Sequence, residues 1–161
     1  MSIVVSDAPP LINLARVQQF ELLAAFYGQV IIPRAVYDEV VVRGQGRDGS
    51  AEVRSASWVE TREPQDDLAV QSLAAELGRG EASAIILAKE HRARLLLIDE
   101  IRGRRVAQQL GLNVLGTLGI LARAKREGRI PDLRQELNLL RARGTWIGEE
   151  LYDEVLRLAG E

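Results

Sequence analysis

The 161-residue sequence contains no cysteine and a single histidine, His91. The first absence excludes a disulfide framework and any thiolate-held metal. The second excludes a multi-histidine metal site, so a metal in this chain would be held by carboxylates. Such ligands select hard cations, Mg²⁺ or Mn²⁺. Long apolar runs are also missing: no segment reaches the roughly 18 apolar residues that a membrane-spanning helix requires. The opening run, Ile3-Val4-Val5, is broken at once by Ser6, Asp7 and two prolines, and does not read as a targeting segment. These absences predict a cytoplasmic protein with no membrane association. A strong charge of one sign is lacking too. The formal net charge of −2 argues against a broadly basic nucleic-acid coat, while leaving room for a basic rim around an acidic pocket.

The composition that remains, 47% hydrophobic and 27% charged, is that of a globular chain, and the length fits one domain spanning residues 1–161. Continuous apolar or β-branched runs at residues 3–6, 29–32, 58–61, 95–98 and 112–115 read as strands. Helical spacing marks 10–28, with a break near Val17-Gln18, then 33–42, where Pro33 takes the first helical position. Further helices are expected at 66–77, 80–91, 100–110, 117–127, 133–143 and 149–159, several stopping at glycine. Residues 43–57 read as a polar loop rich in Gly and Arg. Strands alternating with helices predict an α/β fold. The expected architecture is a three-layer α/β/α sandwich with a mostly parallel central sheet and extra C-terminal helices at about 132–160.

Ligands bind outside the carboxyl ends of the strands in open parallel sheets. Asp7 follows the first strand, and Asp99, with Glu100 beside it, follows Leu95-Leu96-Leu97-Ile98. Either aspartate could instead be a helix cap. For Asp7 there is a steric objection: Ala8 and Pro9 each precede a proline, which pushes them out of the α region. The helix is therefore predicted to open at Pro10, leaving Asp7 too early to cap it. Glu39 borders the stripe of Val36 and Val40, and reads either as a site acid or as a solvated flank. Glu81 lies four residues before Ile85, and its structural alternative is a first-turn acid answering the helix dipole. Carboxylates gathered in one cleft raise one another's pKa unless a cation neutralises them. A phosphoaspartate phosphatase would need a second Asp where Pro9 stands. A phosphate-receiving signalling domain would need a second acid at strand one, and no P-loop is present.

The segments Val4-Val5-Ser6-Asp7 with Pro10-Leu11-Ile12-Asn13-Leu14-Ala15, Ile32-Pro33 with Val36-Tyr37-Asp38-Glu39-Val40, Gly80-Glu81-Ala82-Ser83-Ala84-Ile85, Leu97-Ile98-Asp99-Glu100 and Leu115-Gly116-Thr117 carry a resemblance. Over nearly its whole length the chain resembles the PIN-domain nucleases, particularly the small prokaryotic, toxin-like branch. The resemblance implies four catalytic acids, at Asp7, Glu39, Glu81 and Asp99, all metal ligands, with Glu100 as a supplement. It also implies Mg²⁺- or Mn²⁺-dependent RNA cleavage through a metal-activated water, an antitoxin-like protein partner and a homodimer. One departure stands out. Relatives usually carry Thr or Ser directly after the first Asp, and often a further Ser; here Ala8 and Pro9 occupy those places, and Ser6, Asn13 or Thr117 are the candidates to compensate.

On the substrate side, Arg102, Arg104 and Arg105 follow Asp99 and read as phosphate-binding or as a solvated face. Asn13 and Thr117 complete the candidate substrate contacts, and Arg43 and Arg47 sit in a loop that could flank the cleft. Trp58 and Trp146 read as core or interface residues in preference to base-stacking platforms. The C-terminal helices around Leu137, Leu140 and Leu156 supply either a dimer surface or internal packing. The rival function is a PIN-like module that binds RNA or a protein without cutting.

Overall fold

Short runs of Val, Ile and Leu form five strands in the computed structural model, which describes residues 2–161. They are β1 (Val4–Ser6), β2 (Val30–Pro33), β3 (Val59–Arg62), β4 (Leu95–Leu97) and β5 (Val114–Leu115). All pair in parallel, in the order β3-β2-β1-β4-β5. The three inner strands are buried on both faces, as a sheet covered by helices requires. Val4 joins one apolar cluster and its neighbour Val5 joins the other, so the alternation of a strand divides the core into two layers. The expected three-layer α/β/α architecture is observed, with every strand pair parallel.

Ten helices follow the sequence order: α1 (Ala8–Arg16), α2 (Leu22–Tyr27), α3 (Arg34–Tyr37), α4 (Ser50–Ser55), α5 (Asp67–Leu77), α6 (Arg79–Glu90), α7 (Ile101–Gln109), α8 (Thr117–Arg126), α9 (Leu133–Ala142) and α10 (Glu149–Leu158). Two expectations need correction and one is met. The break near Val17-Gln18 is observed, and the segment 10–28 forms two helices. Gln18, at φ 59°, closes α1 by bonds from its own N–H to Ala15 and from Gln19 to Leu14. Pro33 is the last residue of β2 and the N-cap of α3, not its first helical residue, and the helix it starts widens into a π-helical turn at Asp38–Val42. The polar loop 43–57 contains α4, anchored by buried Val53 and by Ser50 Oγ donating to the Val41 carbonyl at 3.1 Å.

The last two helices pack within the chain. Leu137, Leu140 and Leu156 are buried in the same cluster as Leu11, Leu14 and Ile120, so these three do not form a free face. Among the described residues no helix is long and apolar enough to cross a membrane. Because Leu137 is fully buried, Leu137→Ala is expected to destabilise the protein by about 2–5 kcal/mol. Urea denaturation measures this; a loss below about 1 kcal/mol would mean that α9 is not part of the main core.

Candidate active site

The chain leaves β1 at the centre of the sheet, adds β2 and β3 on one side and then crosses to place β4 and β5 on the other. The carboxyl ends of β1 and β4 therefore flank the point where the winding direction reverses, the position at which such sheets leave a crevice. Asp7 lies there, its N–H donating to the Leu97 carbonyl at 2.9 Å and its side chain buried, with only 3% exposed.

Asp7 does occupy the N-cap of α1, because Ala8, Pro9 and Pro10 are all helical. The expectation that the helix opens at Pro10 is therefore wrong; proline is tolerated in a first helical turn, where no N–H is needed. The carboxylate nevertheless makes no cap to the helix interior. A cap side chain accepts from the second or third helical N–H, and those positions are Pro9 and Pro10, which have none. Among the described residues, the Ala8 N–H is what serves it.

Three glycines show how the other acids approach. A Cβ on Gly80, at the start of α6, would lie 2.9 Å from Glu39 Oε1 and 3.9 Å from Asp7 Oδ1. The bare α-carbon is where those two carboxylates meet. Glu39 comes from the π-helical turn, a local widening that recurs at functional sites. A Cβ on Gly103 of α7 would lie 2.6 Å from Glu81 Oε2, so Glu81 reaches across from α6 to rest against α7. A Cβ on Gly116 would lie 2.8 Å from Asp99 Oδ1 and equally close to Arg104 Nη1.

Asp99 is held more firmly than the rest. Its Oδ1 accepts from the Thr117 N–H at 2.6 Å; its Oδ2 accepts from Thr117 Oγ1 at 2.8 Å and from Asn13 Nδ2 at 2.9 Å. It does not cap α7, whose N-cap is Glu100. Asn13 Oδ1 in turn accepts from Thr145 Oγ1 at 2.8 Å, tying the α9–α10 connection to the site. Ser6 spends its hydroxyl on the Asp7 carbonyl, 2.8 Å away, and not on a carboxylate.

Burial pushes the Asp7 carboxyl up to about 7, against the Ala8 N–H, and the charges of Glu81, Glu39 and Asp99 push the same way. Burial likewise raises Glu81 to about 7, helped by Glu100 and Glu39 and opposed by Arg102. The five acids thus share one electrostatic neighbourhood. Among the described residues, however, no three of them are gathered closely enough to form a ready-made ion cage.

The basic residues divide around this centre. Arg104 lines a groove of about 410 Å³ together with Asn13, Asp99, Thr117 and Trp146. Arg102 pairs with Glu76 at 3.4 Å and Arg105 faces solvent. Arg43 and Arg47 do flank a cleft, one of about 570 Å³ that also holds Arg16 and Glu39. Glu39 therefore borders a basic cleft and Asp99 borders the groove. Sequence reading missed Thr145 and Arg16, which carry no motif of their own and enter through Asn13. Of the core and interface alternatives for the tryptophans, the core one does not apply to Trp146, which is 88% exposed, whereas Trp58 packs tilted against Phe20 with ring centroids 4.9 Å apart.

Comparison with known proteins gives the family. A family model described as DUF3368, a PIN domain, matches residues 3–161, and the chain belongs to that PIN-domain family. PIN domains are in general nucleases that act on nucleic acid and typically use divalent metal ions. No curated protein matches the chain significantly.

The raised carboxyls carry a pH signature. A group whose folded-state pKa lies above its unfolded value, here about 7 against 3.8 for Asp7, contributes stability below about pH 4 that is lost as pH rises through about 7. In EDTA, Asp7→Asn is therefore expected to melt above the wild type at pH 8 by about 4–8 °C, for roughly 2 kcal/mol of relief, with the difference vanishing near pH 4. Calorimetry at the two pH values decides; a variant that melts lower at pH 8 would contradict an uncompensated charge at Asp7.

Proposed function

We propose that the protein is a divalent-metal-dependent ribonuclease that cleaves RNA phosphodiesters at the Asp7 centre. The observation carrying this reading is the buried, uncapped Asp7 carboxyl with Glu39, Glu81 and Asp99 around it. Like charges so placed destabilise the fold unless a cation joins them. An all-carboxylate donor set fits Mg²⁺ or Mn²⁺. Asp7, Glu81 and Asp99, with Glu39 and Glu100 alongside, would hold the ion. When bound, it would supply a lowered pKa for water and polarisation of the phosphate.

The chain's own residues do the positioning. Thr117 and Asn13 fix both oxygens of Asp99, leaving that carboxylate little rotational freedom. This is the role that the hydroxyl missing at Ala8 and Pro9 would have served beside Asp7, moved to the partner strand end. Arg104 on one side and Arg43 and Arg47 on the other offer cations to phosphates flanking the scissile bond. The toxin-like branch of the resemblance adds a cytoplasmic setting, an antitoxin-like partner and a homodimer to the proposal; these rest on the resemblance alone. The second reading, a binding module without cleavage, draws on Ala8-Pro9.

Two experiments separate them. A Mn²⁺ titration with single-stranded RNA is expected to show metal-dependent cleavage that Asp7→Asn or Asp99→Asn abolishes. Unchanged cleavage in either variant, or none with any divalent ion, would sink the nuclease reading. Thr117→Val, which removes the Oγ1 donor and keeps the N–H, is expected to weaken Mn²⁺ binding about 10–100-fold by calorimetric titration. Wild-type affinity in that variant would show that Asp99 needs no such support.

A further inference from the structure

Trp146 has no partner that explains it. At 88% exposure it is the most exposed large apolar side chain of the described residues, although tryptophan is on average among the more buried residue types. Its backbone is far from free. On one side Thr145 is bonded to Asn13 at 2.8 Å and receives Arg16 Nη1 at 2.9 Å. On the other, the Ile147 side chain is buried and its carbonyl accepts from Arg141 at 2.8 Å. The indole also needs the bare α-carbon of Gly148, where a Cβ would come within 3.2 Å of the ring. The ring thus stands exposed on an anchored segment, at low cost in ordering, which is what a stacking platform requires.

Its position gives it an occupant. Trp146 lines the same groove as Arg104 and Asp99, so an apolar plane, a guanidinium and the carboxylate site share one concave surface. A nucleotide carries the matching pair, a flat base and a phosphate. Building on the ribonuclease reading, we infer that Trp146 stacks an unpaired base of the RNA strand next to the scissile phosphate. It thereby selects single-stranded over duplex RNA, because a base held in a helix does not offer its face. Arg104 receives the phosphate attached to that nucleotide.

Trp58→Phe leaves Trp146 as the sole tryptophan and reads it directly. In that background, with Asp7→Asn to prevent cleavage and Mg²⁺ present, a short oligouridylate is expected to quench the emission saturably. The same strand annealed to oligoadenylate is expected to quench much less. Trp146→Ala should weaken binding of a labelled oligouridylate about tenfold or more, and Trp146→Tyr should retain most of it. Unchanged affinity in Trp146→Ala, or equal quenching by the duplex, would overturn the inference. So would an emission blue shift with doubled mass as protein concentration rises without RNA, since a second copy would then be what covers the ring. Quenching by single strands without cleavage by the wild type would sink the nuclease reading alone. Cleavage with full affinity in Trp146→Ala would sink the stacking alone.

Discussion

A buried carboxylate at the end of the central strand, with its capping donors deleted, is the constraint around which the rest of this molecule is arranged. Pro9 and Pro10 allow α1 to begin immediately after Asp7 yet give it no N–H at the two positions a cap would use. The helix thus closes over the acid without satisfying it. Glu39 and Glu81 are then brought in from two further segments, which only adds to the unfavourable charge. A fold that accumulates cost at one point, in the crevice its winding creates, holds strain of the kind found at functional centres.

Asp99 represents the opposite strategy within the same site. Three donors satisfy it, from α1 and α8, and the chain of bonds continues through Asn13 to Thr145 between α9 and α10. The C-terminal helices are in this sense part of the site's scaffold. Their buried leucines place the segment that carries Thr145 and Trp146, and Thr145 steadies the amide that steadies Asp99.

Much of this was legible in the sequence because it rests on local rules. The apolar runs of the strands, glycine stops such as Gly128 and Gly144, and the acids at strand ends all follow from periodicity and chain reversal. The rest depended on geometry with no local signature. The break near Gln18 was legible from the spacing, but not that it places a non-glycine residue at positive φ, which no turn rule singles out. The π-helical turn that presents Glu39 follows a helical spacing in the sequence like any other. The freeing of Asp7 was anticipated, but the cause differs: the prolines do not delay the helix, they remove its donors. For Trp146 the sequence left core and interface open, because size and hydrophobicity are all it shows, and the exposure that removes the first depends on what α9 and α10 leave uncovered.

The glycines at 80, 103 and 116 have a consequence of another kind. Each is bare where a carboxylate oxygen of the site lies within 3 Å of the position a methyl group would take. The acids keep their places through residues that possess no functional group whatever. A descendant of this chain could therefore retain every aspartate and glutamate of the centre and still change its shape through one alanine at 103, which would make the ends of Glu81 and Ile98 move aside. Judging whether such a site is intact means counting its empty spaces as carefully as its charges.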